Sequence, residues 1–140
     1  MSVFSRLGLL FTLFFTLSCS AAADVDFQSF WTQFRKAALA SDYTALEKMS
    51  KMPLEVKGVD DSMPSQQLDS AKLKQVFPAL LAQKIYRYEG DELSELTLKQ
   101  VLEQTSSVKA QADAKDARVE QFEFAKTDGQ WRLIRAYLEE

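Results

Sequence analysis

The chain has 140 residues, 46% of them hydrophobic and 26% charged, with a formal net charge of −3 at pH 7. That length holds one domain with one core rather than two, and an acidic balance without a lysine/arginine cluster argues against nucleic acid as a partner. The absence of histidine and the presence of a single cysteine exclude Ser-His-Asp and Cys-His nucleophiles, His-ligated zinc and an internal disulfide.

Residues 1–23 read as a secretory signal peptide. Arg6 is the basic residue of its start, residues 9–17 are an unbroken run of apolar residues and threonines, and Ala21-Ala22-Ala23 fits small-residue cleavage before Asp24. The run falls short of the roughly 20 apolar residues that span a bilayer. Cys19 supports an alternative, because Ser18-Cys19 resembles the end of a bacterial lipoprotein signal, although Thr16 stands where leucine is usual. The expected organisation is a leader over 1–23 and one α+β domain over 24–140. The domain is then periplasmic or secreted, or else a membrane-anchored lipoprotein lipidated at Cys19.

Phe27, Phe30, Trp31, Phe34 and Ala38 recur at helical spacing and predict an amphipathic helix, with Asp26 as its N-cap and with Arg35 and Lys36 complementing its dipole. Ser41-Asp42 caps a second, short helix over 43–51 that Pro53 ends, and Leu54 and Val56 then alternate as a strand stopped by Gly58. Asp60-Asp61 lies in a polar turn without the spacing of a calcium loop. Leu73, Val76, Phe77, Leu80 and Leu81 are helical in period, and Pro78 inside them predicts two short helices, 69–76 and 78–83. Residues 85–88 are strand-like up to Glu89-Gly90-Asp91. Thr97 and Gln100 have the form of a capping box, in competition with a strand over 93–98, and Val108, Ala110 and Ala112 alternate as a strand.

The most informative stretch is 118–138, two strands joined by Asp128-Gly129, a pair suited to a type I′ turn because both central residues need positive φ. Regular alternation from that turn sets Lys126 opposite Trp131, Phe124 opposite Leu133 and Phe122 opposite Arg135, on one core-facing side. Arg135 would then stand at the edge of an apolar cavity with Trp131 and Phe122.

The order of helix, short helix, strand, helix and a closing run of strands resembles the NTF2-like superfamily, in particular its small exported proteins of unknown function. Residues 27–42 as the long first helix and Trp131-Arg132-Leu133-Ile134-Arg135-Ala136-Tyr137 as the last strand carry the resemblance. It implies a single α+β domain of N-terminal helices packed on a curved antiparallel sheet in a cone, often with a pocket between sheet and first helix. No catalytic motif of the superfamily can be placed on this chain.

The function expected from these residues is non-enzymatic binding. The pocket would be formed by Arg135, Trp131, Tyr137 and Phe122, and the partner would be a small apolar or anionic ligand or an envelope protein, with pairing of two copies through the sheet also open. No cofactor, metal or nucleic acid is expected. An envelope inhibitor or immunity protein, engaging a basic partner through acids such as Asp60-Asp61, is the alternative. An enzyme using carboxylates with Tyr86, Tyr88 or Tyr137 stands behind both.

Overall fold

The computed structural model describes residues 23–58, 60, 62–110 and 114–139, with side chains from Phe27 onward. Residues 1–22 of the expected leader, with Cys19, together with Asp61 and Ala112, lie outside the described residues. The elements in order are α1 (Ala23–Leu39), α2 (Tyr43–Lys48), β1 (Ser50–Lys57), β2 (Gln66–Leu68), α3 (Ser70–Ala82), β3 (Lys84–Glu89), β4 (Glu92–Thr97), α4 (Leu98–Gln104), β5 (Asp116–Val119), β6 (Phe122–Thr127) and β7 (Gln130–Tyr137). This is the expected α+β domain, with helices packed on a curved sheet. The sheet is mixed rather than wholly antiparallel: its order is β2-β1-β7-β6-β5, and β1 runs parallel to β7. β3 and β4 form a separate two-stranded ribbon.

α1 lays its aromatic stripe on the inner face of the sheet. Phe27, Trp31, Phe34 and Ala38 are fully buried, as are Phe122, Phe124 and Leu133 opposite them. Phe124 is the hub of this contact: the rings of Phe27, Phe30, Trp31 and Phe34 lie 5.8, 5.6, 6.1 and 5.1 Å from it, each edge-on, as aromatic quadrupoles prefer. Phe77 of α3 extends the seam by stacking on Phe122 at 6.0 Å. The helix begins at Ala23, so Asp26 lies inside it rather than capping it. Arg35 does not serve its own helix either. Its guanidinium donates to the carbonyls of Leu102 and Glu103, in the last turn of α4, where unpaired carbonyls and the dipole favour a cation.

Local signals are met where the chemistry is local. Asp42 accepts from the Ala45 amide at 3.0 Å to cap α2, Asp69 accepts from Lys72 at 2.8 Å to cap α3, and Thr97 with Gln100 closes a full capping box on α4. Strand and helix, set in competition over 93–98, both occur, meeting at Thr97. α2 stops at Lys48, and Pro53 lies inside β1 rather than ending a helix. Pro53 falls where the pairing of β1 with β7 is interrupted between Ser50 and Glu55, so its missing N–H breaks no ladder bond there.

Longer-range packing overrides two expectations. α3 is one helix through Pro78, because Leu73, Phe77, Leu80 and Leu81 are buried on both sides of the proline along one axis. That burial offsets the roughly 3 kcal/mol cost of a helix-interior proline. Residues 105–110 form no strand: Gln28 of α1 donates to the Ser106 carbonyl at 3.1 Å and accepts from the Val108 amide at 2.9 Å, doing with one side chain what a neighbouring strand would do.

Asp128 and Gly129 have φ of 51° and 76°, as a type I′ turn requires, and Thr127–Gln130, Lys126–Trp131 and Phe124–Leu133 pair as expected. Two features depart from the regular ribbon. The upstream strand is broken at Glu120-Gln121, where Glu120 has φ of 53° and Val119 pairs back on Phe122. Between Glu123 and Phe124 the register on β7 skips Ile134, a β-bulge, so that Phe122 faces Ala136 and Arg135 faces Glu123.

Among the described residues no helix is long and apolar enough to cross a membrane. Phe124→Ala is expected to cost about 3–5 kcal/mol, as loss of a buried ring typically does, and Tyr88→Ala, exposed on the ribbon, within about 0.5 kcal/mol. Urea midpoints check both. Equal midpoints for the two variants would show that the seam is not the core.

Candidate functional site

The bulge at Ile134 separates the four residues expected to share a pocket. Phe122 and Trp131 point into the core, 0% and 5% exposed, while Arg135 and Tyr137 lie on the opposite, outer face. The reason is that one extra residue reverses the alternation, and Ala136, fully buried, takes the place beneath Phe122 that regular pairing gives to Arg135. The expected pocket around Arg135 is therefore not formed.

Arg135 closes instead into a ladder across four strands. Register aligns Glu55 of β1, Arg135 of β7, Glu123 of β6 and Arg118 of β5. Arg135 donates through Nε to Glu55 Oε2 at 2.6 Å and through Nη1 to Glu123 Oε2 at 3.1 Å, and the Tyr137 hydroxyl donates to the same Glu123 oxygen at 3.0 Å. Arg118 covers the Tyr137 ring at 4.4 Å. The hydrogen bond from Arg135 holds the Glu55 carboxyl below the usual glutamate range, and the Glu55 carboxylate in turn raises the guanidinium further above its own. The charges are internally balanced, so this network has neither a free cation for an anion nor a free base.

The space between α1 and the sheet is filled by the aromatic seam. What remains open is a cleft of about 280 Å³ at one end of that interface. α1 supplies Ser29, Phe30 and Gln33, the end of α2 supplies Lys48 and Met49, and the hairpin turn with the start of β7 supplies residues 129–132. Arg132 is held at the rim, donating Nη1 to the Lys48 carbonyl at 3.0 Å and Nη2 to Gln130 Oε1 at 3.4 Å, both neutral acceptors. No acidic side chain lines the cleft among the described residues. The indole N–H of Trp131, in the same wall, is buried without a hydrogen-bond partner among them, a state that typically costs about 1–3 kcal/mol.

Other openings are chemically plainer. A cleft of about 350 Å³ between α3 and α4 is mostly apolar, with Leu39, Pro78, Leu81 and Ala82 beside Lys99, and one of about 260 Å³ beside β1 and β2 is lined by Val56, Met63 and Leu138 with Lys57; neither has an arginine. Asp60 is engaged locally, accepting from the Ser62 amide at 2.8 Å, which lowers its carboxyl from the usual aspartate range. Tyr86 and Tyr88, 55% and 76% exposed, stand on one face of the β3–β4 ribbon and line none of these three openings. Of the residues expected at the site, Trp131 alone lines the α1–β7 cleft. Arg132, Lys48 and Phe30 were missed, and their assembly from three segments leaves no local sequence signal.

No family model and no curated protein matches the chain. A solved structure from Nostoc punctiforme PCC 73102, described as a protein of unknown function with a cystatin-like fold, aligns over 82% of this chain and 88% of its own. The sequence identity is 14% and the TM-score 0.39. The expected membership of the NTF2-like superfamily is thereby corrected: no family model carries it, and the matched structure is described by a cystatin-like fold. The stripe of residues 27–38 and the Trp131-x-Leu133 strand that suggested it record only a helix lying on a sheet.

The ladder generates a pH dependence. A carboxyl whose folded pKa is depressed contributes stability that is present above its unfolded value and lost as pH falls through the folded one. Wild type should therefore lose more stability than Glu55→Gln between neutral pH and pH values below the ordinary glutamate range. The three side chains remain 29%, 23% and 27% exposed, so solvent screens the pair and the difference should be modest. Urea midpoints down the pH series read it, and parallel curves would show that the ladder adds no pH-linked stability.

Proposed function

We propose that the chain is an exported, non-enzymatic binding domain whose ligand site is the cleft between α1 and the start of β7. The observation that carries this reading is the placement of Arg132: Arg135 and Arg87 meet carboxylates and Arg35 meets the carbonyls of α4, whereas Arg132, held by two neutral acceptors, lines this opening beside Lys48 with no acid among the described residues. The non-enzymatic reading is supported by the ladder, in which Arg135 engages Glu55 and Glu123 and so leaves them poorly suited to proton transfer. Screening of small neutral and charged fragments by two-dimensional amide NMR tests the site. Shifts grouped around Phe30, Gln33 and residues 129–132 are expected, and a screen whose hits group elsewhere overturns it.

A second reading, an envelope inhibitor or immunity protein, is favoured by the tip of the β3–β4 ribbon. Beyond Ile85, which is tucked into the core, Tyr88 and Leu93 form an exposed cross-strand pair beside Glu89, Asp91 and Glu92, while Arg87 is already taken by Glu120. An aromatic and aliphatic pair ringed by acids suits a basic protein surface.

Export rests on the leader read over 1–23, with the periplasm or the medium as destination and lipidation at Cys19 as the alternative. Intact mass of the protein recovered from an exporting host is expected to give a chain starting at Asp24. A chain starting at Cys19 with added acyl mass would establish the lipoprotein form instead, and a chain retaining residues 1–23 would refute both.

A further inference from the structure

We infer that the α1–β7 cleft takes a small carboxylate with a compact apolar body, its carboxylate held by Arg132 and Lys48 and its body lying against Phe30, Met49 and Trp131. This rests on the reading of the cleft as the ligand site and names what that site selects.

Charge comes first. The chain is acidic overall, at −3, yet this opening is lined by two cationic residues, Arg132 and Lys48, and by no acid among the described residues. Arg132 is also positioned in advance: its bonds to the Lys48 carbonyl and Gln130 fix the guanidinium and leave further N–H donors, with no carboxylate to neutralise it among the described residues. A guanidinium offers the planar fork that a carboxylate accepts, and an ammonium adds a point charge.

Size and lining narrow the class. About 280 Å³ lies just below the ~300–1,000 Å³ of sites for drug-sized ligands, so the occupant is smaller than those. The half-buried Phe30 and the buried Trp131 give the body an aromatic wall, which inorganic phosphate leaves unused. Gln33, Gln130 and Ser29 are neutral hydrogen-bonding groups at the edge. Two cations match a dianion in charge, so it is the apolar wall, and not the charge count, that selects a carboxylate with an organic body over inorganic phosphate.

The test uses the purified protein, amide and indole NMR spectra, and three probes at millimolar concentration: sodium benzoate, benzyl alcohol and sodium phosphate. Benzoate is expected to shift the Trp131 indole and the amides of Phe30, Gln33 and residues 129–132, with binding that weakens as salt rises. Arg132→Gln and Lys48→Gln should each weaken it by about two- to fivefold, the size of one exposed charge interaction, while Lys57→Gln, in the cleft beside β2, should leave it unchanged. Unaltered amide spectra elsewhere in each variant establish that the fold is intact.

Benzyl alcohol binding as tightly as benzoate overturns the carboxylate while leaving the cleft as a site. Phosphate binding as tightly overturns the role of the apolar wall. Benzoate binding unaffected by both variants overturns the assignment of the cations. No shifts at the cleft from any probe overturns the inference and the site reading together.

Discussion

Side chains on a strand alternate between faces, and β7 breaks that alternation once, at Ile134. Trp131 and Leu133 face the core before the break and Ala136 after it, so Arg135 and Tyr137 go to the outer face. Without the bulge the guanidinium of Arg135 would be pressed beneath Phe122, in a wall built by Phe34 and Phe77. An unpaired charge buried there is far costlier than one unpaired residue in a ladder. The interruption of β1 between Ser50 and Glu55 lies on the other side of the same stretch of β7, which brings Glu55 level with Arg135. The charge ladder of the outer face and the all-apolar inner face thus follow from one local departure.

Filling the inner face fixes where a ligand can go. Rings on α1 and the sheet interlock around Phe124 at centroid distances of 5.1 to 6.1 Å, leaving the helix–sheet interface solid. Open space is displaced to the rim, where the type I′ turn and the end of α2 meet α1 around the cleft. The turn therefore has two roles: it sets the register that buries Trp131, and it carries the backbone that walls the cleft.

What was legible in the sequence is what short-range chemistry decides. The α1 stripe, the Asp128-Gly129 turn, the cap at Asp42 and the box at Thr97 each involve residues within a few positions of one another, and each formed. The illegible parts depend on partners far along the chain. Gln28 satisfies the backbone near Val108 from 80 residues away, β1 pairs in parallel with β7, and Pro78 is carried through α3 by burial on either side of it. None of these leaves a periodicity to read, and the bulge at Ile134 follows strong β-formers that suit a regular strand equally well.

The same reasoning explains why the cation was misplaced. Arg132 and Arg135 are the same residue type on one strand, and no local pattern distinguishes them as ligand-facing or structural. The distinction is made by acids elsewhere: Glu55, 80 residues away, and Glu123 on the adjacent strand claim Arg135. Among the described residues Arg132 meets a carbonyl and an amide oxygen, both neutral. A cation becomes available to a ligand when the fold leaves it without a carboxylate, which is a property of the assembled surface. Such a cation stands out only against the acids of the assembled surface, and that is why Arg132, rather than the more deeply networked Arg135, is the residue on which the proposed site rests.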